Sequence, residues 1–203
     1  MNQPGGYRTY KTIDVTLRRD LQNGWGWQVS GSKIWAKGNS VSVSDRDLQG
    51  DYADLDARLP YNDGKLDGSV DWILKGYVIR QWDNGFAASL HAYFDSGTHY
   101  SLMSHDGTFP YWQSPSMSEG YDTQKRGDHK NPSRSRFDFK VQYSRKFGKK
   151  VNGMVYLQVN DLLNKQGVYA KAEGPFARPG YSEGQGYLYA APRSYALGMR
   201  VSF

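Results

Sequence analysis

The histidines are the first residues to consider for chemistry, because the chain has 4 of them and no cysteine. A zinc site needs three or four ligands at close spacing. Only two of the histidines are near each other in the sequence, and the full set is His91, His99, His105 and His129. We therefore expect these side chains to be polar residues that face a loop or an internal space, and we predict no zinc centre and no disulfide.

An acidic segment loosely imitates a calcium-binding loop. Asp45 and Asp47 stand at alternating positions, and Gly50 holds the sixth position of the pattern. Gln49 departs from the pattern at the fifth position, and Asp56 replaces the bidentate glutamate at the twelfth. No helical pattern flanks the segment, so a solvated acidic loop is favoured over a weak calcium site at Asp45, Asp47 and Asp56.

Motifs for covalent chemistry are absent from the sequence. It contains no nucleophile elbow, no phosphate-binding loop and no dinucleotide fingerprint. Arg126-Gly127-Asp128 has the letters of an adhesion tripeptide, and chance explains it in a polar segment of this composition. We therefore expect neither an enzyme nor a cofactor.

Aromatic residues crowd two long polar segments and are the candidates for ligand contact. Aromatic rings with polar neighbours can bind ligands by stacking and hydrogen bonding. Rings of this kind also occur at the lipid interface of membrane barrels, which is the alternative interpretation. The ligand-contact candidates are Phe109, Tyr111, Trp112, Tyr121, Tyr181 and Tyr187.

Strands must position these segments, because apolar residues recur at every second position. In the last strand the apolar residues are Tyr195, Leu197, Met199, Val201 and Phe203. The same alternation occurs in six earlier stretches, which gives about seven strands. Their connections alternate between tight turns, such as Asn23-Gly24, and long polar segments. This order is typical of an antiparallel transmembrane β-barrel with short periplasmic turns and long extracellular loops.

Composition supports the all-β barrel prediction. Aromatic residues make up 15% of the chain and all hydrophobic residues only 38%, which suits strands with one lipid face and one polar face. The sequence contains no run of 18 apolar residues, so it predicts no transmembrane helix. The net charge of +6 is spread out, so we predict no nucleic-acid binding; a basic surface near anionic lipid headgroups explains the charge at least as well.

These residues resemble the C-terminal end of a TonB-dependent outer-membrane receptor, close to the Oar-like group. The resemblance covers essentially residues 1–203 and is most specific at Asn160-Asp161-Leu162-Leu163-Asn164 and at the terminal strand. Gly6 to Lys11, Gly64 to Asp67 and Asp95 to Thr98 are weaker matches. It implies a barrel of about 22 strands with a plugged lumen, of which this chain provides about seven.

The resemblance also implies partners and a location in the bacterial outer membrane. An odd number of antiparallel strands cannot close a barrel, so we expect a missing N-terminal barrel and plug part, on the same or a separate chain. Contact with TonB would run only through that part. The terminal strand, Tyr195 to Phe203, would engage the barrel-assembly machinery.

The expected function is a segment of a transport receptor for TonB-dependent uptake of a ligand that the sequence does not name. The alternative is a soluble or surface-attached all-β carbohydrate-binding module. In the barrel, the lumen-facing residues are predicted to include Asp14, Arg18, Asp138, Lys140 and Arg200.

Overall fold

The structure, a computed structural model, describes residues 6–39, 63–100, 103–105, 119–121, 126–148, 151–171 and 186–203. In these ranges it has strands and no helix, so no described helix is long and apolar enough to cross a membrane. The strands are β1 (Arg8–Gln22), β2 (Trp25–Gly38), β3 (Gly64–Lys65), β4 (Trp72–Gln81), β5 (Phe86–Asp95), β6 (His99–Tyr100), β7 (Met103–His105), β8 (Glu119–Tyr121), β9 (His129–Lys130), β10 (Arg134–Phe147), β11 (Val151–Asn160), β12 (Val168–Lys171), β13 (Gly186–Tyr189) and β14 (Ser194–Ser202).

Seven long strands form one antiparallel sheet in the order β1-β2-β4-β5-β10-β11-β14, and β3 adds a short pairing to β2. Each long strand is therefore a neighbour of the next long strand along the chain. β1 and β14 are the two edges of the sheet. The predictions of an all-β, antiparallel fold and of about seven main strands are confirmed.

Tight turns join the long strands in pairs at one end of the sheet, which we call the short-turn end. Asn23 has a φ of 52° and Gly24 a φ of 74°, the two positive values that a type I′ hairpin requires. Gly85 turns the next pair with a φ of 91°, and a Cβ atom there would overlap the carbonyl oxygen of Ser144. The long connections all leave from the opposite end, the long-connection end.

Short strands lie inside the long connections, where the sequence pattern predicts only loops. β6 pairs with β9, β7 with β8, and β12 with β13. β3 and β6 have 2 residues each and β12 has 4. Such strands are too short to display an alternation of apolar and polar residues, so the sequence contained no signal for them.

One surface of the sheet is apolar across all seven long strands. The register aligns the apolar positions: Phe139 lies opposite both Leu90 and Val159, and Leu157 lies opposite Leu197. We call this surface the apolar face. Its side chains are exposed to a degree unusual for large hydrophobic residues, with 83% of Leu197 and 81% of Met199 accessible.

Aromatic side chains of the apolar face lie mainly towards its two ends. Phe94 and Phe137 pack edge to face near the long-connection end, and the centroids of their rings are 5.3 Å apart. Phe86 and Tyr143 pack at the short-turn end, where Arg80 lies 4.9 Å from the ring of Trp25. The exposed tryptophans of this face are Trp25, Trp35, Trp72 and Trp82.

The opposite surface, the polar face, carries the intervening residues. One row of cross-strand partners crosses five of the strands, because each offers a polar residue or a tyrosine at the same level. In strand order, the row is Arg18, Gln28, Tyr77, His91 and Asp138, and Asn160 pairs with Ser194 between the last two strands. The sheet thus separates an apolar and a polar surface, as the alternation predicts.

Buried side chains are concentrated at the long-connection end. Asp95 is 0% exposed, and Leu66, His99 and Arg126 are buried nearby in the chain segments that connect the strands. Backbone hydrogen bonds tie these segments together, including those from Lys65 N to the Arg126 carbonyl and from Gly68 N to the His99 carbonyl. The long connections therefore contain a packed substructure at the end of the sheet.

Candidate functional site

The polar face holds all five residues predicted to face a lumen. Asp14 and Arg18 lie on β1, Asp138 and Lys140 on β10, and Arg200 on β14. Their cross-strand partners are Ser32, Gln28, His91, Ser89 and Met154. The structure places these residues on one surface; whether that surface lines a lumen stays a prediction.

The cations of the polar face differ in their partners: one is paired with a carboxylate and two lie near tyrosine rings. Arg136 donates from Nε to both carboxylate oxygens of Asp138, over 2.8 Å and 3.0 Å. Lys140 instead lies 4.6 Å from the centre of the Tyr156 ring, and Lys75 lies 5.9 Å from that of Tyr93. The described residues place no carboxylate within ion-pair distance of either lysine, so this surface carries unneutralised positive charge.

A pocket of about 840 Å³ opens at the long-connection end of the polar face. β10 and β11 form one side, and the segment through β12 and β13 forms the other. Its volume falls in the range of small-molecule sites, about 300–1,000 Å³. Its polar lining residues include Arg134, Arg136, Asn160, Asp161, Lys165 and Ser194; the rings and apolar groups include Tyr93, Pro132, Leu188 and Tyr189.

Hydrogen bonds fix the polar floor of this pocket. Asn160 donates from Nδ2 to Ser194 Oγ over 3.1 Å, and its Oδ1 accepts a bond from Gln158 over 2.8 Å. The Asp161 backbone N–H donates to Asp138 Oδ1 over 2.9 Å. Asp161 has a φ of 52° and turns the chain out of β11. The side chains of the floor are thereby held in place before any ligand arrives.

Asp161 is the unusual member of the floor. The residue is 8% exposed, and its Oδ1 is buried without a hydrogen-bond partner in the described part of the chain. A buried carboxylate oxygen that lacks a donor is costly, by about 1–3 kcal/mol or more.

A second polar group lies in the connections above the sheet; we call Lys65, Asp71, His99 and Lys130 the loop cluster. Asp71 Oδ1 is 2.9 Å from Lys65 Nζ and 3.0 Å from His99 Nε2, and its Oδ2 is 2.7 Å from Lys130 Nζ. His99 Nδ1 lies 2.9 Å from the Gly127 carbonyl oxygen. Burial alone would raise the pKa of Asp71, but hydrogen bonds from Lys130, Lys65 and His99 outweigh it and hold the pKa well below its usual range.

Two buried residues at the long-connection end, Arg126 and Asp95, have structural roles. Arg126, the first residue of the adhesion-like tripeptide, is 3% exposed, and its Nε donates to Asp67. A buried arginine cannot present an adhesion motif, which agrees with the interpretation that the letters arise by chance. Asp95 also has a packing role, because its carboxylate accepts bonds from Arg134 and from the Gly97 backbone N–H.

The histidines take separate positions. His91 lies on the polar face with its ring centroid 5.6 Å from that of Tyr77, and His129 lies 5.4 Å from the ring of Tyr100. His99 belongs to the loop cluster, and His105 is in β7. Within the described ranges, no group of three or more His, Asp and Glu side chains is arranged to hold a metal.

Most of the predicted ligand-contact residues lie outside the described residues, as do the calcium candidates. The ones outside are Phe109, Tyr111, Trp112, Tyr181, Asp45, Asp47 and Asp56. Tyr121 and Tyr187 fall in β8 and β13. The pocket instead brings together Arg136, Lys165 and Ser194, which the sequence analysis did not select. Only their separate positions next to strand ends could have hinted at a shared site.

Comparisons with known proteins add no identification. No protein-family model and no curated protein matches this sequence.

Proposed function

We propose that the chain is a barrel segment of a bacterial outer-membrane transport receptor, of the TonB-dependent kind that its sequence resembles. The observation that carries the proposal is the apolar face, which extends over seven strands and leaves many of its large hydrophobic side chains exposed. A soluble sheet packs such a face against another layer, and the described residues place no layer against it. Lipid is the environment in which an exposed apolar face is stable.

The dimensions of the sheet support the proposal. A barrel strand that crosses a membrane needs about 9–11 residues when tilted, and β4, β5 and β11 have 10 residues each. Ten residues extend about 33 Å along a strand and span about 25 Å at a tilt of about 40°. That height equals the apolar band of outer-membrane barrels, so Trp72 and Trp82 would lie at the two lipid interfaces.

The edges of the sheet support a partner. β1 and β14 have 15 and 9 residues, and the described residues place no strand beside their outer backbone groups. In a bilayer these groups must be paired, because water is absent there. We infer that further barrel strands, with the plug and the TonB-contacting segment, complete the receptor at these two edges. The polar face then lines the path of the ligand, and the proposal assigns no covalent step to the chain.

Lipid contact is the property to test first. Single-tryptophan variants that keep only Trp72 would be reconstituted into vesicles that contain brominated lipid, and fluorescence quenching would be measured. We expect strong quenching of Trp72, because it lies on the apolar face. The matched control has its only tryptophan at Tyr77→Trp, on the polar face of the same strand, and should be quenched far less.

Two further results would decide the location of the chain. Outer-membrane fractionation and heat-modifiable migration on gels are expected for a barrel protein. A chain that stays soluble, monomeric and folded without detergent would contradict the proposal. It would favour the soluble or surface-attached carbohydrate-binding module.

A further inference from the structure

The pocket of the polar face offers a chemistry that identifies a class of ligand, provided that the proposed transport function holds. Three features of the pocket restrict its ligand: cations in the lining, a polar floor with hydrogen-bonding groups, and rings and apolar groups on the walls. Each feature is carried by different residues. Together they restrict the ligand more than any one of them does.

Two cations line the pocket, Arg136 on β10 and Lys165 in the segment between β11 and β12. Arg136 is bonded to Asp138 through Nε, and its two terminal nitrogens, each with two N–H donors, make no bond to the described residues. Lys165 is exposed and forms no ion pair with the described residues. Arg134 differs, because its guanidinium is held by the buried carboxylate of Asp95. A carboxylate at either Arg136 or Lys165 would receive charge-assisted hydrogen bonds.

Lys75 extends this positive region along the sheet. In the register, Lys75 lies opposite Tyr93, and Tyr93 lies opposite Arg136. Neighbouring strands are about 4.8 Å apart, so the two cations flank Tyr93 at a distance of about 10 Å between backbones. An anionic ligand with more than one acidic unit would therefore meet a second cation beside the first.

The floor offers both donors and acceptors. Asn160 and Ser194 form a bonded pair with remaining capacity for further hydrogen bonds. Asp161 also lines the pocket, but its Oδ1 is buried and out of reach of a ligand. A ligand hydroxyl group can both donate and accept, so a molecule with several hydroxyl groups would satisfy Asn160 and Ser194, directly or through an ordered water.

The walls provide ring faces and small apolar groups. Tyr93 and Tyr189 line the pocket together with Pro132, Leu188 and Ala191. A sugar ring has an apolar face of C–H groups and a polar edge, and tyrosine matches it with a ring and a hydroxyl. A fully apolar ligand would leave the floor unsatisfied, and a bare inorganic anion would leave the walls in contact with water.

We propose that this pocket binds an acidic saccharide, with uronate carboxylates on Arg136 and Lys165 and sugar hydroxyl groups on Asn160 and Ser194. The volume of about 840 Å³ accommodates a short oligosaccharide rather than a single sugar.

Calorimetry on the complete protein in detergent or bilayers tests the proposal with two probes. The first is a linear trisaccharide of uronic acid, and the second is its uncharged methyl ester. We expect the acid to bind at least about tenfold more tightly than the ester, because only the acid carries the charge that strengthens hydrogen bonds from Arg136 and Lys165. Arg136→Gln should remove most of that preference, and Lys165→Gln should reduce it.

Arg19→Gln is the matched control, because Arg19 lies on the other surface of the sheet, in β1, and outside the pocket. It should leave the affinity within about twofold. Equal binding of acid and ester, or equal losses in Arg136→Gln and Arg19→Gln, would overturn the proposal. So would the absence of binding by protein that shows heat-modifiable migration and lipid quenching of Trp72. Failure of those two membrane measurements would instead reject the transport function itself.

Discussion

Asp71 shows how one carboxylate organises the chain segments above the sheet. Three hydrogen-bonding groups from distant parts of the sequence converge on it: Lys65, His99 and Lys130. Its lowered pKa means that folding favours the charged form. The resulting stability is fully present above the unfolded pKa of about 3.9 and is lost as the pH falls towards the lower folded value.

Asp71→Asn should loosen the loop cluster at neutral pH. The substitution removes the charge that three donors share, and we expect a local loss of about 1–3 kcal/mol. The measurement is amide hydrogen exchange of the Gly68 and His99 N–H groups, which bond within this substructure. Below about pH 4 the wild-type amides should exchange more like those of the variant.

Asp20→Asn is the control at the same scale. Asp20 pairs with Arg18 in the open, with side chains 74% and 63% exposed, and exposed pairs contribute about 0–1 kcal/mol. This variant should leave exchange at Gly68 and His99 unchanged. If Asp71→Asn also left it unchanged, the loop cluster would owe its stability to packing rather than to the carboxylate.

At the scale of the strand, Gly198 controls how β14 joins the sheet. It lies opposite Tyr156 on the polar face, and the tyrosine ring covers it so closely that an added Cβ would overlap the ring. An aromatic ring over a cross-strand glycine stabilises such a pairing. Lys140 also contacts this ring, with its Nζ 4.6 Å from the Tyr156 ring centroid.

Gly198→Val should weaken the pairing of β11 and β14 by about 1–3 kcal/mol, as overpacking does. This loss of stability is measured as a decrease in the urea concentration at the midpoint of unfolding. Ala196→Val is the matched control, because Ala196 lies two residues earlier on the same face and is exposed. The double variant Tyr156→Ala with Gly198→Val should recover part of the loss, because the clash is gone. A loss in the double variant equal to the sum of both single losses would reject the ring-over-glycine contact as the cause.

The strands and the loop cluster differ in how far sequence alone could predict them. Alternation at period 2 and the Asn23-Gly24 turn are local signals, and they sufficed for the seven long strands and their order. Contacts such as Asp71 with His99, or Asp95 with Arg134, join residues far apart in the chain and leave no periodic trace. The pocket is of this second kind, since Arg136, Lys165 and Ser194 meet only through the register of β10, β11 and β14.

At the scale of the whole molecule, the central question is which solvent the apolar face meets. Phe139 lies in the middle of this face, between Leu90 and Val159. Phe139→Arg should cost about 2–4 kcal/mol if the position lies near the bilayer midplane. Urea unfolding in lipid vesicles measures that cost, and the yield of heat-modifiable protein gives an independent readout.

Gln142→Arg provides the comparison, because Gln142 lies on the same strand as Phe139 but on the polar face, opposite Ala87 and Tyr156. In a barrel its side chain meets the water of the lumen, so the variant should fold as well as the wild type. A barrel therefore predicts a large difference between the two arginine variants in vesicles. If Phe139→Arg folded normally and the protein needed no lipid, the apolar face would not meet lipid, and the membrane assignment would fail.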